Sequence, residues 1–185
     1  MVSIPAGFAP DDYLALEEFA SCRHEFRCGL VYAMAGGSGN HSRLAINLVT
    51  AFNLHFVEDR CQFFSGDVKL NYAERFYYYP DAFVTCDPRD RGDDYIKRYP
   101  ILIAEVMSPS TASFDRGQKF EDYQLLESLE EYVLISQEVP QVEVFRRRLN
   151  WQSVVFGARD RVVLDSIGLE VDMAALYRGV RIGED

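Results

Sequence analysis

Apolar side chains recur at helical spacing over residues 41–56, where Leu44, Leu48 and Ala51 form one row and Ala45, Phe52 and Phe56 lie one step over. That broad apolar face predicts an amphipathic helix. A second helical pattern covers about 114–126, with Phe120, Tyr123 and the Leu126–Leu129 segment turned inward. A shorter one runs from Tyr13 to Phe19 behind Asp11 and Asp12, which read as its cap. Asp172 through Tyr177 predicts a short final helix.

Between these segments the pattern changes to that of strands. Residues 25–34 predict two short strands turned at Cys28-Gly29, where glycine supplies the permissive backbone. Further strands are expected at about 61–64, 66–71 and 81–87, the last starting directly after Pro80. Residues 89–94 are a polar loop. Tyr99 through Met107 is the most apolar run and therefore a central strand, ended by Ser108-Pro109-Ser110-Thr111. Glu131 through Ile135 is another buried strand, so the order strand, helix, strand implies a parallel pair with a right-handed crossover. Residues 140–148, 151–156 and 161–165 alternate like antiparallel hairpins. The expected fold is α/β: a mixed central sheet flanked by helices, with a C-terminal antiparallel hairpin region, in one domain over residues 1–185. No repeat, low-complexity tract or linker interrupts it.

Composition supports a packed core: 48% of residues are hydrophobic, with 13 Phe and 11 Tyr, which argues against disorder. No apolar run reaches the roughly 18 residues of a membrane-spanning helix. Residues 1–5 lack the basic and apolar stretch of a signal peptide. Cys22, Cys28, Cys61 and Cys86 form no CxxC pair, so reduced, partly buried thiols in a cytoplasmic protein are expected. His24, His41 and His55 lack the spacing of a zinc site. Charge changes the picture more. With 19 Lys and Arg against 29 Asp and Glu, the net charge of −10 counts against a large non-specific nucleic-acid surface. A few cations gathered on one face, with a bound metal, remain compatible with a nuclease.

The candidate chemistry lies in Tyr79-Pro80-Asp81 and in Ile103-Ala104-Glu105-Val106-Met107, which place two carboxylates at the ends of separate apolar elements. A carboxylate inside such a run is costly unless it is paired, hydrogen-bonded or metal-bound. A structural ion pair accounts for Glu105 in one reading; a divalent cation shared with Asp81 accounts for it in the other. Two carboxylates completed by a backbone carbonyl and waters suit Mg²⁺, with Mn²⁺ as substitute. Asp115, Lys119 and Tyr123 fall at every fourth position and so share one helical face. Aimed at Glu105, that face lets Lys119 orient or help deprotonate water and offset phosphate charge, with Tyr123 steadying the site. The bland alternative is an exposed Asp115–Lys119 pair and a core tyrosine. Glu25 either reaches the cation or a second one, or is a surface carboxylate beside Arg23 and Arg27. His41, at a helix start after a glycine-rich turn, either contacts phosphate or the attacking water, or is an ordinary residue of the cap region.

Several of these residues belong to a longer pattern: His24-Glu25, Gly29 through Gly37, His41, Tyr79-Pro80-Asp81, Glu105-Val106-Met107-Ser108-Pro109-Ser110-Thr111, Asp115, Lys119, Tyr123 and Glu131-Tyr132. The block from Glu105 to Tyr123 is hard to produce by chance. On these residues the chain resembles the Uma2 family, restriction-endonuclease-like members of the PD-(D/E)xK nuclease superfamily, over about residues 10–178. The resemblance implies a mixed sheet flanked by helices, with Asp81 and Glu105 as metal ligands. The superfamily lysine two residues after the glutamate is Met107 here, so its role passes to Lys119. A tryptophan usual after Glu-Tyr is Val133, a packing change.

The function expected is a Mg²⁺-dependent endonuclease hydrolysing DNA phosphodiester bonds, acting as a homodimer because cutting both strands takes two sites. The alternative is a non-enzymatic nucleic-acid-binding or protein-interaction module on the same fold. A glycosidase fits poorly, since Trp151 is the sole tryptophan and Lys119 would have no role.

Overall fold

The computed structural model describes residues 7–34, 36–58 and 60–183; the readings on residues 1–5 and Ala35 lie outside it. The chain enters through α1 (Pro10–Phe19), whose first turn holds Pro10, with its fixed φ, and Asp11 and Asp12. These aspartates were expected to cap the helix. They lie inside it instead, favourable to its dipole, while Ala9 takes the cap position without a side-chain bond. A hairpin follows, β1 (His24–Arg27) and β2 (Leu30–Ala33), turned at Cys28 and Gly29 with φ of 46° and 87°. Both central residues at positive φ suit the tight twist of a two-residue hairpin.

The helix α2 (Gly39–His55) is capped by Ser38, whose hydroxyl accepts from the His41 N–H, and it buries Leu44, Leu48 and Phe52. Strands β3 (Gln62–Ser65), β4 (Lys69–Tyr72), β5 (Phe76–Tyr78), β6 (Ala82–Thr85), β7 (Ile96–Lys97) and β8 (Pro100–Met107) come next. Two short helices, α3 (Ala112–Arg116) and α4 (Gln118–Tyr123), then lead to β9 (Glu131–Ser136). The rest is β10 (Val142–Arg146), β11 (Gln152–Phe156), β12 (Arg161–Leu164), β13 (Leu169–Asp172) and α5 (Met173–Leu176).

The main sheet has six strands in the order β11-β10-β9-β8-β6-β3, and β8 and β9 are its parallel pair, as the strand–helix–strand order predicts. A second sheet runs β2-β1-β5-β4-β7, and β12 pairs with β13. The mixed sheet flanked by helices is thus present, and the C-terminal region is antiparallel as expected. The main sheet is buried on both faces. On one, Leu102, Ala104 and Val106 of β8 pack with Val133 and Ile135 of β9 against α2, α5 and the β12–β13 pair. On the other, Phe83, Ile103, Tyr132 and Leu134 pack against β4, β5 and α4. Because strand side chains alternate, Asp81 and Glu105 fall on the same face as Phe83 and Ile103, toward α4.

The expectation of four reduced thiols is corrected at one pair. Cys61 and Cys86 form a disulfide with Cα atoms 4.1 Å apart. The antiparallel β3–β6 register matches Gln62 with Thr85 and so sets Cys61 opposite Cys86. Cys22 and Cys28 are free and exposed. Among the described residues no helix is long and apolar enough to cross a membrane.

Candidate active site

Asp81 directly precedes β6, and Ala82 pairs with Ala104 of β8, so Asp81 and Glu105 meet across adjacent strands. The Asp81 N–H donates to Glu105 Oε2 at 3.2 Å, and the Val106 N–H donates to Asp81 Oδ2 at 2.8 Å. Backbone pairing therefore holds both carboxylates side by side. From the crossover, Lys119 Nζ lies 2.9 Å from Glu105 Oε1 and 3.0 Å from Glu25 Oε1. The Tyr123 hydroxyl donates to the same Glu105 oxygen at 2.9 Å. Glu25, on β1, also accepts the Tyr79 N–H at 3.0 Å, so it belongs to this cluster and not to a surface pair with Arg23 or Arg27.

His41 sits in the first turn of α2 with Nε2 3.1 Å from Asp81 Oδ2. Gly37 makes this approach possible, because a Cβ there would stand 2.8 Å from His41 Nδ1. Asp115 is buried in the wall of the same cleft. Thus Glu25, His41, Asp81, Glu105, Asp115, Lys119 and Tyr123, which come from five elements and one preceding loop, line or floor one site.

Burial pushes the Glu105 carboxyl up to about 8, with Lys119 opposing and Asp81 adding to the rise. Burial alone would lower Lys119, but Glu105, Glu25 and Asp115 hold its ammonium charged well above the usual lysine range. Asp115 is raised by burial, again with Lys119 opposing. The hydrogen bond to Asp81 raises His41 against the cost of its burial. Burial also raises the Tyr123 phenol well above its ordinary value, with the Glu105 charge adding, so it serves as a donor.

Glu131 shows what a purely structural carboxylate looks like in this protein. It accepts from Arg146 Nε at 2.8 Å, from the N–H groups of Asp165 and Ser166, and from the Ser166 hydroxyl. Both of its oxygens are occupied. Asp81 differs: Oδ2 takes His41 and Val106, while Oδ1 has no hydrogen-bond partner among the described residues, and the residue lines the cleft.

The sequence did not reveal what supports Lys119. Asp122 of α4 accepts from Arg27 Nε at 2.6 Å and from the Tyr78 hydroxyl at 2.7 Å, tying the helix to β1 and β5. The Tyr79 N–H, which orients Glu25, was visible only as part of a motif. Backbone donors carry no signal in residue identity.

Comparisons with known proteins agree with this architecture. The Uma2 family model, described as "Putative restriction endonuclease", matches residues 10–174. An uncharacterised protein of Synechocystis, slr1290, is 38% identical over 175 residues, covering 93% of this chain and 92% of that one. A second from the same organism, sll1609, is 37% identical over 139 residues, covering 74% and 78%. Among solved structures, one described as a "putative nuclease" from Anabaena variabilis superposes with a TM-score of 0.76 at 19% identity, covering 92% of this chain and 97% of that one. At that identity the likeness speaks for the fold alone. The match over residues 10–174 and the shared length with slr1290 decide the family: this chain belongs to Uma2.

Proposed function

We propose that the chain is a divalent-cation-dependent endonuclease that hydrolyses DNA phosphodiesters at the Asp81–Glu105–Lys119 centre. The observation that carries this reading is the juxtaposition of Asp81 and Glu105 on paired strands, with a buried lysine ammonium 2.9 Å from Glu105. The donor set fits a hard cation. Asp81 offers an oxygen with no hydrogen-bond partner among the described residues, and Glu105 lies beside it. Among the described residues no three His, Cys, Asp or Glu side chains converge as a closed cage. Mg²⁺ is commonly held in this way, by one or two carboxylates with waters and phosphate oxygens completing the shell. Asp81 and Glu105 would hold the ion. Bound there, it supplies charge neutralisation at phosphate and a lowered pKa for water.

The chain's own residues do the rest. Lys119 is held as a cation, so it acts through charge and as a hydrogen-bond donor to water or phosphate, not as a base in the ion-free site. Tyr123 and the Asp81 N–H fix the Glu105 rotamer. His41, whose pKa the hydrogen bond to Asp81 raises, would present a second polar group at the cleft beside the reacting phosphate.

The test is incubation of supercoiled plasmid and of single-stranded DNA with Mg²⁺ or Mn²⁺. Wild type is expected to cut at least one of them, and Asp81→Asn to cut neither. A second reading, a non-enzymatic module on the same fold, draws support from the −10 charge. Wild type that binds DNA or a protein partner without cutting at high enzyme concentration would favour it.

A further inference from the structure

The centre opens on two lobes of one cleft. The first, about 690 Å³, holds Glu105 and Lys119 and is walled on its apolar side by Tyr32, Met34, Pro109 and Phe114. The second, about 990 Å³, extends past Arg23 and Lys69 toward α1. His41, Tyr79 and Asp81 line both, so a bound chain can pass from one lobe to the other across Asp81.

Four lysine and arginine side chains line the two lobes: Arg23, Arg27, Lys69 and Lys119. Lys119 is committed to Glu25 and Glu105, Arg27 to Asp122, and Arg23 to Asp67 and the Gly66 carbonyl. Lys69 differs from the other three. Its Nζ lies 5.2 Å from the centre of the Tyr79 ring, and among the described residues it has neither a carboxylate within ion-pair distance nor a hydrogen bond. Burial lowers its pKa, with the charges of Glu17 and Asp93 opposing from beyond ion-pair distance. In the other lobe Tyr32 is 44% exposed, and its ring centre lies 6.5 Å from that of Phe114. The two rings are tilted by 43° at the rim of the first lobe, and the exposed Tyr32 ring offers a face on which an unpaired base can stack.

We infer that the cleft takes a single-stranded segment of DNA, with a base against Tyr32 and Phe114 in the first lobe and an adjoining phosphate at Lys69 in the second. This rests on the nuclease reading above and names its substrate form. A duplex binder gathers many phosphate contacts from two strands. Here the cleft supplies one uncommitted cation among the described residues, and the chain as a whole carries −10. Glu105 and Lys119 are 4% and 5% exposed, so a phosphate reaches them only if its strand enters the lobe. A stacked base provides affinity without that charge. Such a site completes its cut on one strand, and the homodimer expected for cutting two is not required for it.

The experiment measures fluorescence anisotropy with a labelled single-stranded dodecathymidylate and a labelled duplex of the same length, with Ca²⁺ replacing Mg²⁺ to hold back hydrolysis. Wild type should bind the single strand about tenfold or more tightly than the duplex, and Tyr32→Ala should weaken the single strand by about tenfold. Lys69→Ala should reduce the salt slope of binding by about 0.7, the value for one lost phosphate contact on a single strand. Equal binding of duplex and single strand, or an unchanged slope in Lys69→Ala, overturns the inference. Calorimetry with Mn²⁺ separates the two levels. A wild type that binds Mn²⁺ but neither DNA form defeats this inference alone; one that binds no Mn²⁺ defeats the nuclease reading beneath it.

Discussion

At Lys119 folding and the proposed chemistry depend on the same side chain. Its ammonium lies between Glu105 and Glu25, both buried, and satisfies both. Replacing it by alanine leaves two buried carboxylates without their cation, a change that costs about 3 kcal/mol in comparable buried pairs. Lys119→Ala should therefore melt well below wild type. Added Mg²⁺ should raise its melting temperature more than that of wild type, because the ion supplies the missing positive charge. Equal shifts in the two proteins would show that the ion and the lysine do not share this charge. Glu105 gives a pH signature. Its folded carboxyl is raised to about 8 by burial, with Lys119 opposing. In metal-free buffer the folded state keeps a proton that the unfolded chain gives up in the ordinary carboxylate range. The associated stability is present at low pH and lost as pH rises toward 8. Melting in EDTA across pH 5 to 8, at about unit steps, should fall for wild type and stay flatter for Glu105→Gln. Asp81, Glu105, Lys119 and Tyr123 were legible in the sequence, because carboxylates in apolar runs and fourfold spacing are local signals. Asp122 and Lys69 were not. Asp122 reaches Arg27 across 95 residues, and no pattern along the chain announces that contact.

The elements repeat this division between local signal and long-range contact. The helix over 39–55, the β8–β9 parallel pair and the hairpins over 24–33 and 142–156 were all readable from periodicity and turn residues. The helix expected over about 114–126 is in fact α3 and α4, broken at Gly117, whose N–H closes the last turn of α3 on Ser113 and Phe114. Asp115 thus lies on one helix and Lys119 and Tyr123 on the next, yet Asp115 and Lys119 still line the cleft and Tyr123 reaches Glu105 from beneath it. Strands β5, β7 and β13 were not foreseen. Phe76-Tyr77-Tyr78 shows no alternation because it is buried throughout, β7 is only two residues long, and Leu169 through Val171 fell between the hairpin segment expected at 161–165 and the helix expected from Asp172. Gly168, at φ 64°, makes the turn that starts β13. The disulfide also depends on register. Alkylation of the folded, unreduced protein should label Cys22 and Cys28 and spare Cys61 and Cys86, as read by mass spectrometry. Reduction, which opens a loop of 25 residues, should lower stability by about 3 kcal/mol. Labelling of all four cysteines without reductant would contradict the pairing.

At the scale of the whole molecule, two sheets and the α3–α4 crossover converge on one cleft. β1 brings Glu25, the main sheet brings Asp81 and Glu105, the crossover brings Lys119, and α2 brings His41. Composition and alternation made the mixed α/β architecture readable, and the Uma2 pattern singled out the candidate site residues that the fold brings together. The convergence itself depends on long-range pairing such as β1 with β5, and so on the folded chain alone. The proposed chemistry requires one ion shared by Asp81 and Glu105. The most direct measurement is a calorimetric titration of Mn²⁺ into wild type, Asp81→Asn and Glu105→Gln, each shown to be folded by circular dichroism. Binding of one ion by wild type and marked loss in both variants is the predicted result; equal binding by all three would contradict it.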